Sequence, residues 1–363
     1  MDPGDQKERS LDVVQDVEAS GIERLPRRVS RYGSAKKSAL DVADYIATQP
    51  GQQHLAQRVA SCGDYLLFRH YFTVDQVRLH AASLCMKHLL CPLCAIRRGS
   101  RALKSYLDRW EVIRAEKPAL RPFLVTLTIR NGPDLAERFN HLHKAQRELW
   151  KRRQRGRGSV LDGVEGAVWS YEIKRGSGSG QWHPHIHMIA LAEHHPSEKQ
   201  LRREWKDITG DSDGCNVKPI EGDYVEGFQE VFKYACKFND QPVSDTWHAF
   251  QTLRGKRLLA SSGVFRGVEV PESLTDEPLD GLPFVELFYR YLPGAGYSLR
   301  DRQAEREAVK PAQGRGLRPV RANQAGAGLG ASLDGGGAAE PPPQRRAEAL
   351  GVARRRSGQP PPS

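Results

Sequence analysis

Past residue 118 the spacing of apolar positions changes repeatedly, and each change marks an element. Pro122 introduces the unbroken β-rich run FLVTLTI over 123–129, which has strand length and composition. After the Asn131-Gly132-Pro133 breaker, Leu135, Phe139, Leu142, Leu149 and Trp150 recur at helical spacing and predict a helix over 134–152. Strands follow over 164–174 and 182–191, joined by the glycine-rich 176–180, and this is the pattern of a β-hairpin. Further spacing predicts a helix over 196–208, a short strand over 215–220 and a helix over 224–238. The order β-α-β-β-α-β-α predicts an α+β fold, an antiparallel central sheet with helices packed on it.

The flanks read differently. Residues 1–54 are polar with little periodicity and carry Arg27, Arg28, Arg31, Lys36 and Lys37, which predicts a flexible basic arm. Residues 55–117 form a cysteine- and arginine-rich region, and 118–298 hold the α+β domain. From 299 to 363 the chain is rich in Gly, Ala, Pro and Arg, with too little apolar surface to offset ordering entropy, so a disordered basic tail is expected. Composition narrows the class further. The chain has 363 residues, 39% of them hydrophobic, and no apolar run near the ~18 residues of a membrane span. The N-terminus lacks a basic start followed by an apolar stretch, so a cytoplasmic protein without membrane partners is expected. A net charge of +11 points to a polyanionic partner.

Cys85, Cys91 and Cys94 include a C-x2-C knuckle, a spacing that turns two thiolates onto one tetrahedral ion. Cys62 beside Gly63 is the best fourth ligand, with His88 or His80 as substitutes. A closed four-ligand site of this kind is a structural zinc site. Arg97, Arg98, Arg101 and Lys104 follow the knuckle and would face phosphate from a helix; Lys151, Arg152, Arg153, Arg155 and Arg157 form a second basic run. Cys215 and Cys236 show no ligand spacing and read as core.

In WHPHIHMIAL (182–191), residues two apart share a face, so His185 and His187 point together while Ile186 and Met188 enter the opposite, apolar layer. A turn centred on Gly178 and Ser179 sets Glu172 opposite His185. Two imidazoles and a carboxylate with open positions suit Mg²⁺ or Mn²⁺ when phosphate oxygens supply the rest. On the helix over 224–238, Glu230, Tyr234 and Lys237 share one stripe, and Phe228, Val231, Phe232, Ala235 and Phe238 cover the other. Tyr234 is therefore off the core face. By itself the helix reads as an ordinary amphipathic element with a Glu-Lys surface pair. Beside the histidine hairpin, a nearby lysine and a metal-polarised phosphate would lower the barrier to attack by Tyr234, and Glu230, one turn earlier, would act as a base or an activator of water.

With FLVTLTI, WHPHIHMIAL and EVFKYACK in that order, preceded by CMKHLLCPLCAIRR, the chain resembles replication initiators of rolling-circle plasmids, in the HUH endonuclease superfamily. The resemblance covers about 60–240. It implies His185 and His187 as metal ligands, with Glu172 less fixed by the family; Tyr234 as nucleophile; Glu230 as the carboxylate that activates water at termination; and Lys233 and Lys237 beside the phosphate. It implies nicking of one strand at a plasmid origin, a 5′-phosphotyrosyl linkage and a 3′-hydroxyl that primes synthesis. Its partners would be origin DNA, duplex and single-stranded, with a host helicase and DNA polymerase. The rival readings are an HUH-type transposase or relaxase, some of which pair two tyrosines one turn apart, and a non-catalytic zinc-stabilised DNA-binding regulator.

Overall fold

In the computed structural model, the described residues are 21–156, 158–176, 178–234 and 241–304, with the side chains of 233, 234 and 302–304 excepted. Within them the chain runs α1 (Leu25–Ala47), α2 (Gln53–Ala60), β1 (Tyr65–Tyr71), β2 (Gln76–Ala82), α3 (Pro92–Glu116), β3 (Arg121–Thr128) and α4 (Leu135–Gln154). It continues through β4 (Val164–Arg175), β5 (Trp182–Ala192), α5 (Glu198–Thr209), β6 (Cys215–Pro219), α6 (Tyr224–Tyr234), α7 (Val243–Leu253), β7 (Leu259–Gly263), β8 (Val285–Leu292) and β9 (Gly296–Ala304). No described helix is long and apolar enough to cross a membrane.

The expected antiparallel sheet is present, with strand order β6-β3-β5-β4-β7. Helices cover both faces. On one, Phe139, Leu142 and Leu149 of α4 and Leu201 and Trp205 of α5 pack on Val125, Leu127, Trp169, Tyr171, Ile186 and Met188. On the other, Leu103, Tyr106 and Trp110 of α3 and Phe228, Val231 and Phe232 of α6 pack on Val168, Ile189 and Leu191. The alternation of β5 is what separates these layers.

A second, four-stranded sheet has order β2-β1-β8-β9, so the chain returns after more than 200 residues to pair β8 with β1, Phe68 opposite Leu287. This corrects the division at 117/118 and the tail boundary at 299. The sheet built on the cysteine region is completed by 285–304, α3 packs on the other sheet, and all described elements belong to one unit, Met1–Val309. Residues 305–363 lie outside the described residues.

The expected flexible arm is also corrected over 22–54. The 23-residue α1 buries Leu25, Arg28, Val29, Tyr32, Ala35, Lys36, Ala39, Val42, Ala43 and Ile46. That is an unbroken helical stripe, but Arg28 and Lys36 occupy two of its positions and hide it from a hydrophobic reading. Both charges are matched: Arg28 pairs with the nearly buried Asp276 at 3.0 Å, and Lys36 reaches the exposed Asp64 at 2.8 Å.

Candidate active site

Strand register builds the site. In the β4–β5 hairpin Glu172 pairs with His185 and Ser170 with His187, as a turn centred on Gly178 and Ser179 requires. Gly178 and Gly180 adopt φ of 122° and 62° there, in the region that favours glycine. On the other side of β5, Thr126 and Thr128 of β3 stand opposite His187 and His185. The two histidines therefore sit on an inner strand, held from both sides. Glu172, His185 and His187 are buried, at 6%, 4% and 8% exposure, deep enough for electrostatics to outweigh solvation by bulk water.

The donor atoms converge. Glu172 Oε2 meets His185 Nε2 and lies 3.2 Å from His187 Nε2. One ligand atom from each residue falls within a 4.8 Å cluster. His185 Nδ1 lies 3.3 Å from the carbonyl of His183, which can only accept, so Nδ1 carries the ring proton. The Nε2 atom of His185 faces a carboxylate oxygen of Glu172. Two imidazole nitrogens with one carboxylate are a donor set that could hold a divalent metal.

Burial alone would raise the Glu172 carboxyl, but hydrogen bonds with His185 and His187 outweigh it and keep the group below the usual carboxylate range. Burial lowers His187, opposed by Glu172 and more weakly by Glu230 of α6. The carboxylate expected to manage protons thus acts weakly on His187. Helix α6 is pinned to the sheet where Ser170 Oγ donates to the carbonyl of Val231 at 2.6 Å. Phe228, Val231 and Phe232 are buried and Glu230 is half-buried, as the stripe on this helix requires. Tyr234 is the last described residue of α6; its side chain, that of Lys233, and all of 235–240, including Lys237 and the end of the helix expected over 224–238, lie outside the described residues.

Pattern reading missed several contributors. Thr126 Oγ1 lies 3.4 Å from His187 Nδ1, Lys174 Nζ 3.7 Å from Glu172 Oε2, and the Asn131 side chain meets His183. The signal for Thr126 was present in FLVTLTI, where alternation puts Thr126 and Thr128 on one face. His183 is pushed down to about 4, first by burial and then by His185, and remains a flanking residue.

The cysteines form a second buried cluster. Sulfur separations are 3.5 Å for Cys62–Cys94, 3.6 Å for Cys85–Cys94 and 3.4 Å for Cys62–Cys91. A disulfide needs ~2.05 Å. Thiolates ~2.3 Å from one zinc stand ~3.8 Å apart along a tetrahedron's edges, close to what is observed. The fourth corner is the Cys62 sulfur; neither His80 nor His88 joins the cluster. Gly63, at φ 75°, turns the chain beside Cys62, and a Cβ there would meet Tyr297 Oη at 2.6 Å. Cys91 is the N-cap residue of α3 and Cys94 lies in its first turn, so the start of that helix carries two of the four sulfurs. Cys215 is buried in core as expected; Cys236 lies outside the described residues.

The basic residues divide. Arg97 is corrected: it is fully buried, donates from Nε to Leu274 O at 2.7 Å and pairs with Asp276, so it faces no phosphate. Arg101 is nearly buried against Glu277, whereas Arg98 is exposed. In the second run Lys151 and Arg155 share Glu148, Arg152 pairs with Asp207 at 2.6 Å, and Arg153 donates to Leu161 O and Val164 O. Arg157 lies outside the described residues.

An antiparallel sheet carrying paired histidines and a glutamate beneath a tyrosine-bearing helix, with a four-cysteine cluster on the same chain, is the combination that the rolling-circle resemblance implies. The family of replication proteins known as Rep_1 matches residues 76–286, and the chain belongs to that family. It is 27% identical over 257 residues to a protein named Protein rep from Streptococcus pneumoniae serotype 2 (strain D39 / NCTC 7466), covering 64% of this chain and 77% of that one. It is 22% identical over 306 residues to Protein rep of Bacillus amyloliquefaciens, covering 74% and 88%, and 28% identical over 225 residues to Protein rep of a Bacillus species, covering 56% and 69%. No solved structure matches the chain. Family membership bears out the resemblance to plasmid rolling-circle replication initiators.

Proposed function

We propose that this protein starts rolling-circle replication by nicking one strand of plasmid origin DNA, with Tyr234 as nucleophile. The observation that carries this reading is the convergence of His185, His187 and Glu172 on the sheet face that α6 covers. The Tyr234 oxygen attacks the scissile phosphorus, the bond to the 3′-oxygen breaks, and the chain keeps the 5′-phosphate as a tyrosyl ester. The phenol proton passes to Glu230, and the departing oxygen gains a proton to become the 3′-hydroxyl on which a host DNA polymerase extends behind a host helicase. At termination Glu230 draws a proton from water instead. A divalent cation, Mg²⁺ or Mn²⁺, held by His185, His187 and Glu172 would supply Lewis-acid polarisation of the phosphate.

Glu172 is suited to the ligand role because its carboxylate stays ionised although buried. His183 O and Thr126 orient the two imidazoles from behind. Lys233 and Lys237 offset phosphate charge. Arg98, Arg101, Lys151, Arg152, Arg153, Arg155 and Arg157 supply cations for origin DNA, without Arg97. Zinc on Cys62, Cys85, Cys91 and Cys94 cross-links the start of α3 to the four-stranded sheet, and the site of action is the cytoplasm. The test is to incubate the purified chain with Mn²⁺ and a single-stranded origin oligonucleotide. A covalent protein–DNA adduct is expected; retained DNA binding with no adduct under Mn²⁺ or Mg²⁺ would make the protein a zinc-stabilised binder.

A further inference from the structure

Strand β7 is the edge of the five-stranded sheet, pairing only with β4. Its free side opens into a cleft of about 690 Å³ between α3, on the histidine face, and α4, on the opposite face. Arg98, Arg153, Arg257 and Arg266 line it, and no Asp or Glu does. Arg98, Arg257 and Arg266 are exposed and have no carboxylate partner among the described residues. This differs from Lys151, Arg152 and Arg155, each of which pairs with Glu148 or Asp207.

The same cleft contains Trp150 and Trp169, with ring centroids 5.6 Å apart and an interplanar angle of 32°. Trp150 is only half-buried, and the Arg153 guanidinium lies 5.5 Å from its ring centroid. Ser262 Oγ, also in the lining, is a buried polar atom without a hydrogen-bond partner among the described residues. Arginines set around an available indole, beside an edge strand that carries the buried Ser262 hydroxyl, match what a single nucleic-acid strand presents: phosphates, unstacked bases and polar base edges. A duplex buries its base faces and could use only the charges. The cleft also borders the catalytic helix, because Tyr106 in its wall stacks 5.2 Å from Phe232 of α6.

We propose that this cleft is a single-stranded DNA subsite that holds origin strand next to the nick, its phosphates on Arg98, Arg257 and Arg266 and a base on Trp150. The inference rests on the reading of the protein as one that acts on origin DNA. It is tested on the full-length chain without divalent metal, so that cleavage plays no part, by anisotropy of a labelled oligo(dT) of about 16 nucleotides. Arg257→Glu with Arg266→Glu should weaken binding at least about 10-fold and reduce the log–log salt slope by roughly 1.4, the share of two single-strand phosphate contacts. Trp150→Leu should lose affinity by about 5-fold or more and abolish part of the tryptophan quenching that the oligonucleotide causes. Unchanged oligo(dT) affinity in the double charge reversal overturns the proposal; so does an equal loss for duplex with no effect of Trp150→Leu, which would leave only a general phosphate patch. Failure of the wild type to form an adduct would reject nicking while leaving these binding outcomes readable.

Discussion

The two sheets are built by different means. The five-stranded sheet grows almost wholly from one continuous stretch, and its buried histidines and glutamate sit on adjacent strands joined by a tight hairpin, Glu172 opposite His185. The four-stranded sheet joins β1 and β2 to strands more than 200 residues later and is tied to α1 and α3 by buried ions and sulfurs. Arg28 and Arg97 both reach Asp276, which comes from the connection before β8. Chemistry is therefore placed by local register, while the part around the cysteines is held by long-range polar contacts that work only when every member is present.

That contrast can be broken from the sulfur side first. Cys62→Ser should lose bound zinc and unfold the four-stranded part, an effect on the order of 10 kcal/mol if the metal contributes as structural zinc does elsewhere. Metal content and thermal unfolding decide it, and a zinc-free variant with unchanged Tm would remove the cross-link from the account. Next, Asp276→Asn leaves two buried guanidinium groups without their anion and should cost about 3–5 kcal/mol. Burial alone would raise Asp276, but Arg97 and then Arg28 outweigh it and hold it well below the usual carboxylate range. A depressed folded value means stability that is complete above the unfolded value of about 3.9 and is lost as pH falls below it. Denaturant midpoints of the wild type should therefore drop on acidification below about pH 5, with a shallower drop in Asp276→Asn.

On the five-stranded sheet, if the proposed nicking holds, His185→Ala should slow single-turnover nicking by about 10²- to 10³-fold, the range for losing one electrostatic stabiliser, while zinc content stays at the wild-type level. Zinc loss in that variant would show the two sites to be one system. The smallest effect is expected for Ser170→Ala, which removes the hydrogen bond to Val231 O and should cost about 1 kcal/mol of stability, measured by denaturant unfolding.

The same contrast explains what the sequence disclosed. Period-two and helical spacing located β3 to β6 and α4 to α6 to within a few residues, and hairpin parity put Glu172 beside His185 because register across a short turn is a local property. Helix α1 escaped notice because Arg28 and Lys36 lie in its buried stripe, and their counter-ions are distant in sequence. Arg97 looked like a phosphate contact for the same reason: nothing near it in the chain announces Asp276. Charge runs likewise give composition but not pairing, so Arg152 could not be separated from the unmatched Arg257 and Arg266 until α4 and α5 brought Asp207 to it.

Whether the sheet with the histidines serves a tyrosine on α6 is tested directly by digesting the Mn²⁺-dependent adduct and locating the nucleotide by mass spectrometry. The modification is expected on Tyr234, with no adduct from Tyr234→Phe and DNA affinity nearly unchanged in that variant. A nucleotide on any other residue, or an adduct that persists in Tyr234→Phe, would contradict that role of Tyr234.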